Sequence, residues 1–484
     1  MPVGGRFVFA SFELDPSRRR LLASGEPVVI PERHLDVLGL LVARAGQIVS
    51  KDDLIRAGWQ DVAVGDNSLE QAISSLRRRL GTNVDGTALI ATVPRRGYRL
   101  TAVVSRTAAR ESEAGLEALL MPHRAFIEGR AALESLAADQ VSGARGVFTT
   151  VVRDAPEYAA AHVGLANACV MHYEMTRTDA QPDAAALAQG ERHAREACRL
   201  DPQSAEAWAT LGFVLDRTGH NLDARAASNR AVSLEPDNWR HYFRLACVSW
   251  GEERLRAARR TLALLPGFPL AHWLAATVHV ARQVLTDAER EIAAGLASRS
   301  GGSGGRFSSV ALHWMLGLLV LARGDHHRAL EHFQHELAQE QYGHLYAREC
   351  AANTWYAIGA LHLRRGDRAN ARAAFEQAID RVARHAFAHI GLASLGVPHA
   401  VPGETGDATL VGTRMSALDD SLVRAVRISL GRTPDRAAHM MDDALAVAPP
   451  GSGAWMLPIE PLLHISAHPE PWKAALARLR HRAV

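Results

Sequence analysis

A repeat of 34 residues is the feature that most constrains the fold of this 484-residue chain. Pro202 and Pro236 lie one period apart, and each closes a segment in which small and large apolar residues recur at fixed offsets. A period of this length is typical of stacked helix–turn–helix units, because one such unit cannot bury its apolar face without neighbours. We therefore predict an all-α array over most of the chain.

About seven to eight imperfect copies of the unit lie between residues 118 and 450. One copy carries Trp355, Ile358, Gly359, Ala371 and Phe375. These residues resemble the tetratricopeptide repeat, in which small residues let paired helices approach and large ones fill the space between them. The resemblance implies an α-solenoid whose concave surface binds an unknown protein or peptide partner, and a structural spacer is the alternative.

The first hundred residues show a different pattern. Short apolar runs near Phe7, Phe12, Leu21 and Val28 predict a small antiparallel sheet. Helical spacing after Pro31 then predicts three helices. The second runs over 52–59 with Ser50 as its cap, and the third starts at Asp66 or Asn67 and stops near Gly81. Two strands joined by a turn at residues 94–97 follow directly, an order typical of a winged helix-turn-helix.

The third helix and the hairpin carry the candidate DNA-binding residues. Gln and Ser side chains can bond base edges in the major groove, and Arg can bond guanine or phosphate. Arginines at the tip of a wing can reach phosphates or the minor groove. The candidate residues are Ser68, Gln71, Ser74, Ser75, Arg77, Arg78, Arg95 and Arg96.

Two strings, residues 66–81 and 92–100, resemble the OmpR/PhoB-type winged-helix domain of ToxR-, CadC- and HilA-like bacterial regulators. The resemblance covers roughly residues 7–103 and implies that the third helix reads the major groove. Ser74 and Ser75 depart from the pattern, since relatives with receiver domains often carry basic residues there. The resemblance also implies that the loop at residues 59–65 contacts RNA polymerase.

The predicted fold class is an α+β N-terminal winged helix-turn-helix domain followed by an all-α tetratricopeptide-repeat solenoid. The predicted domains are the winged helix at 1–104, a polar linker at 105–117, the repeats at 118–450 and a C-terminal capping segment at 451–484, with a helix over residues 455–482. All of the net charge of +3 falls within the first 105 residues, which favours a nucleic-acid partner for that part only weakly.

Several other functions find no support in the sequence. The two lysines, Lys51 and Lys473, lie outside any phosphate-binding loop. The four cysteines are far apart, and the histidines at 326, 327, 332 and 335 lack a third ligand, so we expect no metal site and no cofactor. The string at residues 301–305 resembles a nucleophile elbow but is a Gly/Ser loop, and we expect no enzymatic activity.

The leading hypothesis is a one-component transcription regulator that binds double-stranded promoter DNA and receives a protein or small-molecule signal through its repeats. No signal peptide or membrane-spanning run is visible, so we expect a cytoplasmic protein without membrane contact, and a homo-oligomer on DNA is a further expectation. The alternative is an assembly scaffold whose winged helix makes protein contacts.

Overall fold

The first elements of the chain are short apolar strands that pair antiparallel. The computed structural model describes residues 7–16, 19–59, 66–83, 86–106, 127, 129–133, 136–297, 309–397, 417–431 and 433–484. Phe7, Phe9, Phe12 and Leu14 are buried, as alternation predicts for one face of a sheet. The strands are β1 Phe7–Phe9, β2 Phe12–Asp15, β3 Arg20–Ala23, β4 Glu26–Pro27, β5 Ile90–Val93, β6 Gly97–Leu100 and β7 Val104–Arg106. Five of them pair in the order β4-β3-β2-β1-β7, and β5 and β6 form a separate hairpin.

Two strands differ from the sequence prediction. The expected strand at 28–30 is displaced to β4, since the flanking Pro27 and Pro31 supply no N–H donor and keep this edge short. The last strand, β7, was not predicted, and it places Val8 opposite Ser105. A three-residue strand paired with the start of the chain has too little periodicity to be read from the sequence.

Three helices pack beside the sheet: α1 Glu32–Ala43, α2 Lys51–Trp59 and α3 Asp66–Leu80. The predicted cap of α2 is confirmed, because Ser50 Oγ accepts a hydrogen bond of 3.1 Å from the Asp53 amide. The apolar stripe of α3 is buried at Leu69, Ile73 and Leu76, and α3 contacts both α1 and α2.

Gly97 places the β5–β6 hairpin against the segment that joins α1 to α2. Tyr98 and Val49 exchange backbone hydrogen bonds of 2.8 and 2.9 Å across this contact. Gly97 has a φ of +131°, and a Cβ atom there would collide with the Val49 carbonyl. Only glycine therefore fits at the start of β6 without a local rearrangement.

Beyond β7, the described part of the chain is mainly a succession of helices. Those described are α4 Ala138–Asp154, α5 Ala159–Thr176, α6 Ala184–Leu200, α7 Ala205–Arg217, α8 Asn221–Leu234, α9 Trp239–Val248, α10 Gly251–Leu264, α11 Pro269–Ala281, α12 Leu285–Ala297, α13 Leu312–Ala322, α14 His326–Leu337, α15 Ala347–Arg364, α16 Arg368–Arg381, α17 Ala386–Ser394, α18 Ala417–Leu430, α19 Pro434–Val447 and α20 Lys473–Arg482. Successive helices pack in pairs, among them α9 with α10, α11 with α12, α13 with α14 and α15 with α16.

Close approach within each pair explains the small and large residues of the repeat. A Cβ atom at Gly359 would lie 2.5 Å from the ring of Phe375, and Gly317 faces Phe333 in the same way. Both phenylalanines are completely buried. The pairing of a small residue on the first helix with a large one on the second, predicted from the sequence, is confirmed at these positions.

The C-terminal segment differs from the prediction. The sequence predicts a helix over residues 455–482, but only its last ten residues form α20. Pro458, Pro461, Pro469 and Pro471 interrupt the preceding stretch, which contains two short 3₁₀ turns, Leu457–Ile459 and Glu470–Trp472. In the described part of the chain, no helix has both the length and the apolar composition needed to cross a bilayer.

The chain divides into two compact units. The first contains residues 1–135, 140–168 and 192–207, and so joins the winged helix to parts of the first repeats. The second contains residues 136–139, 169–191 and 208–484.

Candidate nucleic-acid interface

Helix α3 separates an apolar side from a polar one. Gln71, Ser74, Ser75 and Arg78 follow the i, i+3, i+4, i+7 spacing of one helix face. Gln71, Ser74 and Arg78 are exposed, and Ser75 is half-buried, as is Ser68 in the first turn. Because the opposite stripe is packed against α1 and α2, the polar face is the one that α3 presents to solvent.

The tip of the β5–β6 hairpin presents two exposed arginines. Arg95 and Arg96 lie in the turn, where the Arg96 amide donates a hydrogen bond of 3.0 Å to the Val93 carbonyl. Arg95 adopts a left-handed conformation with φ of +64°, which costs a non-glycine residue some free energy. The turn therefore holds two cations at the end of a short hairpin that begins ten residues after α3 ends.

Arg77 joins α3 to the hairpin. Its Nε donates a hydrogen bond of 2.8 Å to the Ile90 carbonyl, and one terminal nitrogen donates to Thr92 Oγ1 at 2.6 Å. The guanidinium also lies 5.8 Å from the centroid of the Tyr98 ring. Although the sequence predicts Arg77 as a DNA contact, the structure places its guanidinium on the strands of the wing.

Other charged residues near α3 are paired. Lys51 Nζ lies 3.2 Å from Glu70 Oε1, which links the start of α2 to α3. Arg79 donates to the Val29 carbonyl, so it contacts the segment before α1. Of the three consecutive arginines at the end of α3, Arg77 and Arg79 bond to backbone carbonyls, whereas Arg78 is exposed.

A buried ion pair that was not predicted from the sequence joins Arg19, directly before β3, to Asp36 in α1. Arg19 donates a hydrogen bond of 2.6 Å to Asp36 Oδ1 and one of 3.2 Å to the Glu32 carbonyl. Burial lowers the pKa of Arg19, but the carboxylates of Asp36 and Glu32 outweigh it and hold the pKa well above its ordinary value. The guanidinium therefore stays charged although its side chain is only 4% exposed.

Within the first unit, this cluster contacts the turns between repeat helices. Tyr158, in the turn before α5, is buried beside Arg19, and burial raises the pKa of its phenol. Ser204 Oγ donates to Glu32 Oε1 at 3.0 Å while accepting from the Ala207 amide at the start of α7. The beginnings of α1 and β3 are thus fastened to the first repeats, whereas the exposed residues of α3 and the hairpin tip do not take part in these contacts.

Three other features singled out in the sequence are the loop at 59–65, the string at 301–305 and the histidines near residue 330. The expected RNA polymerase loop lies mostly outside the described residues, since nothing is described between 59 and 66, and residues 301–305 are also outside. The rings of His332 and His335 lie near His313 on the neighbouring helix, with centroids 5.9 and 5.2 Å away. No group of three or more potential ligands in the described ranges has a metal-binding arrangement.

Comparison with known families agrees with this geometry. Residues 25–100 match the family model described as "Transcriptional regulatory protein, C terminal". The N-terminal domain is a member of this OmpR/PhoB-type family. Residues 352–381, which include most of α15 and all of α16, match the tetratricopeptide repeat.

The relatives of the OmpR/PhoB-type domain are similar over that domain. The cholera toxin transcriptional activator of Vibrio cholerae is 36% identical over 121 residues, which cover 23% of this chain and 41% of that protein. The transcriptional activator CadC of Escherichia coli is 35% identical over 86 residues, which cover 18% of this chain and 17% of that protein. The solved DNA-binding domain of E. coli CadC is 30% identical with a TM-score of 0.19, and the match covers 21% of this chain and 94% of that one. The matches thus span less than half the length of these curated relatives.

Proposed function

We propose that this chain is a one-component transcription regulator that binds double-stranded promoter DNA through α3 and the tip of the β5–β6 hairpin. The observation that best supports the proposal is the exposed polar face of α3, which is followed in the chain by a hairpin with two exposed arginines at its tip. In this assignment Gln71, Ser74 and Ser75 face the base edges, with Ser68 at the entrance to the groove. Arg78, Arg95 and Arg96 neutralise phosphates.

The repeats receive the controlling signal in this proposal. Their length, and the fastening of the winged helix to the first repeats through Arg19 and Ser204, support a role in setting the position of the DNA-binding domain. A protein or peptide partner is the expected class of ligand, and contact with RNA polymerase through residues 59–65 belongs to the same proposal.

Salt-dependent DNA binding by the full chain tests the proposal. Affinity for promoter fragments is measured between about 50 and 200 mM salt, where phosphate contacts predict a linear fall of log affinity with log salt concentration. Arg96→Ala should weaken binding to every sequence, whereas Gln71→Ala and Ser75→Ala should change the preference among sites. Arg153→Ala is the control, because Arg153 is an exposed arginine on α4 that pairs with Asp154.

Two results would contradict this assignment. Equal, sequence-independent losses from Arg96→Ala, Gln71→Ala and Ser75→Ala would remove the division between phosphate and base contacts. Little or no salt-dependent binding would instead favour the scaffold function, in which the winged helix contacts protein.

A further inference from the structure

The first helices of the repeat pairs line an inner face within the second unit. Helix α9 contacts α11, α13 contacts α15, and α15 contacts α17. The turn Leu457–Ile459 contacts both α11 and α13, so α11, α13 and α15 share the inner, concave face of the array.

The chain's own C-terminal segment, residues 454–484, lies on this concave face. Ile459 belongs to the same buried cluster as Ala276 of α11, Leu318 of α13 and Leu361 of α15. Trp455 packs edge-on against Trp273 of α11, with ring centroids 6.0 Å apart. Farther along, α20 contacts both α19 and α11, so the segment bridges from the end of the array back to its middle.

Side chains of the array bind the backbone of this segment. Arg364 at the end of α15 donates to the Pro461 carbonyl at 2.9 Å, and Gln283 donates to the Leu476 carbonyl at 2.7 Å. Arg282 donates to the Ala483 carbonyl at 2.8 Å. The three acceptors lie before α20, within it and at its C-terminal end, so side chains of the array bond the main chain of this segment at three separate places.

One buried carboxylate distinguishes the segment from an ordinary part of the core. Glu460 is 1% exposed, and its Oε1 accepts hydrogen bonds from the Tyr356 hydroxyl and from the Leu462 amide. Its other oxygen, Oε2, is buried and has no hydrogen-bond partner among the residues that the structure describes. A buried carboxylate of this kind lowers stability compared with an apolar residue, whereas in water its charge is fully solvated. The chemistry suits a segment that exchanges between groove and solvent.

We infer that the concave face of α11, α13 and α15 is a peptide-binding surface and that residues 454–484 are its intramolecular ligand. The inference deepens the proposed role of the repeats. An external protein segment reaches this face only by displacing residues 454–484, and the partner that fits has apolar anchors followed by a carboxylate, as Trp455, Ile459 and Glu460 do. Because the segment is tethered, its effective concentration is on the order of millimolar, which sets the competition that a partner must overcome.

Cleavage of the chain between α19 and residues 454–484 provides the test. A recognition sequence for a specific protease is placed in the full chain at residues 449–452, where Pro449 and Pro450 are exposed. After cleavage, a fluorescent synthetic peptide of residues 453–484 is added, and its binding is followed by anisotropy and its complex by gel filtration. We expect the cleaved chain to exchange its own segment for the labelled peptide, and the uncleaved chain to bind the peptide at least about 100-fold more weakly.

Array variants identify the binding face. Arg364→Met and Tyr356→Phe should raise the rate of peptide dissociation from the cleaved chain about tenfold or more. Arg372→Met should not, because Arg372 is an exposed arginine on α16 that pairs with Glu376. Exchange with retained helical circular dichroism and these different rates would support the inference.

Three outcomes would overturn it. The cleaved segment fails to exchange while the chain remains folded, its exchange is accompanied by loss of the helical signal of the array, or Arg364→Met and Arg372→Met release the peptide at the same rate. None of these measurements involves DNA, so failure of the inference and failure of DNA binding are separate results.

Discussion

Arg77 of α3 donates a hydrogen bond of 2.6 Å to Thr92 Oγ1 on β5, and this bond ties the helix to the hairpin beside it. The neighbouring Arg78 is exposed. Two adjacent arginines of one basic cluster therefore have different surroundings, and their effects on DNA binding should differ in kind.

Arg77→Met is expected to destabilise the winged helix by about 1–3 kcal/mol, because it leaves the Ile90 carbonyl without its charged donor. It should weaken DNA binding while changing the salt slope little, since the wing loses its position but no phosphate contact is removed. The matched variant Arg78→Met should leave stability nearly unchanged and reduce the slope by about one. Chemical denaturation and salt titration measure both effects, and a reduced slope for Arg77→Met would make Arg77 a phosphate contact.

Gly97→Ala is expected to destabilise the domain more than Gly86→Ala does. Both glycines have positive φ values, +131° and +81°, but a Cβ at Gly86 meets open space whereas one at Gly97 meets the Val49 carbonyl. Backbone strain alone costs about 1 kcal/mol, and displacement of the hairpin adds to it at Gly97. The difference in free energy of unfolding between the two variants measures the contact, and equal values would show that the hairpin accommodates a methyl group.

Arg19→Met should be strongly destabilising, by about 3–5 kcal/mol, because it leaves the buried Asp36 carboxylate without its cation. The double variant Arg19→Met, Asp36→Leu should recover most of this loss, since it removes the fully buried carboxylate. The Glu32 carboxylate that remains is 17% exposed and accepts a hydrogen bond from Ser204. Arg56→Met is the control, because its pair with Asp53 is largely exposed and contributes under about 1 kcal/mol. Thermal unfolding of the full chain measures the series, and a double variant no more stable than Arg19→Met would contradict the ion-pair explanation.

Glu460→Gln should stabilise the chain at pH 8 and have little effect at pH 4. Burial raises the pKa of Glu460 to about 7 in the folded chain, compared with 4.5 for a free carboxyl. Between pH 4.5 and about pH 7, the folded chain holds a proton on Glu460 that the unfolded chain has released. The free energy of unfolding therefore falls as the pH rises through this range. The amide avoids this loss, which is about 3 kcal/mol at pH 8.

The matched control for this prediction is Glu470→Gln, because the Glu470 side chain is 77% exposed. The midpoint of unfolding of Glu470→Gln should equal that of the unmodified chain at every pH. If the stability difference between Glu460→Gln and the unmodified chain is the same at pH 4 and pH 8, ionisation of Glu460 is not its cause.

Local patterns in the sequence predicted the elements that depend on local physics. The cap at Ser50, the buried stripe of α3 and the pairing of Gly359 with Phe375 all follow from spacing along one or two helices. Contacts between distant parts of the chain were not predictable in this way. The pairing of β1 with β7 and the burial of Arg19 beside Tyr158 depend on how separate elements meet, and arginine in a turn is normally solvated.

The contacts within the candidate site were also only partly predictable from local patterns. Sequence identified the eight DNA-facing candidates as residue types suited to a groove, but it could not distinguish Arg77 from Arg78. That distinction depends on the position of β5, which is more than ten residues away along the chain. The prolines between 455 and 472 were visible and exclude a long helix, although nothing local indicated which surface that segment would cover.

The attachment through Arg19 and Ser204 also limits the kind of control that the first unit can exert. It uses the N-terminal end of α1 and leaves the polar face of α3 and the tip of the hairpin exposed. The first repeats therefore leave uncovered the face that we propose to read the groove, and under this proposal the domain need not be released before it engages DNA. Control exerted at this joint would act by aiming the domain: a small change in the turns at Tyr158 and Ser204 would alter the angle at which α3 approaches the double helix.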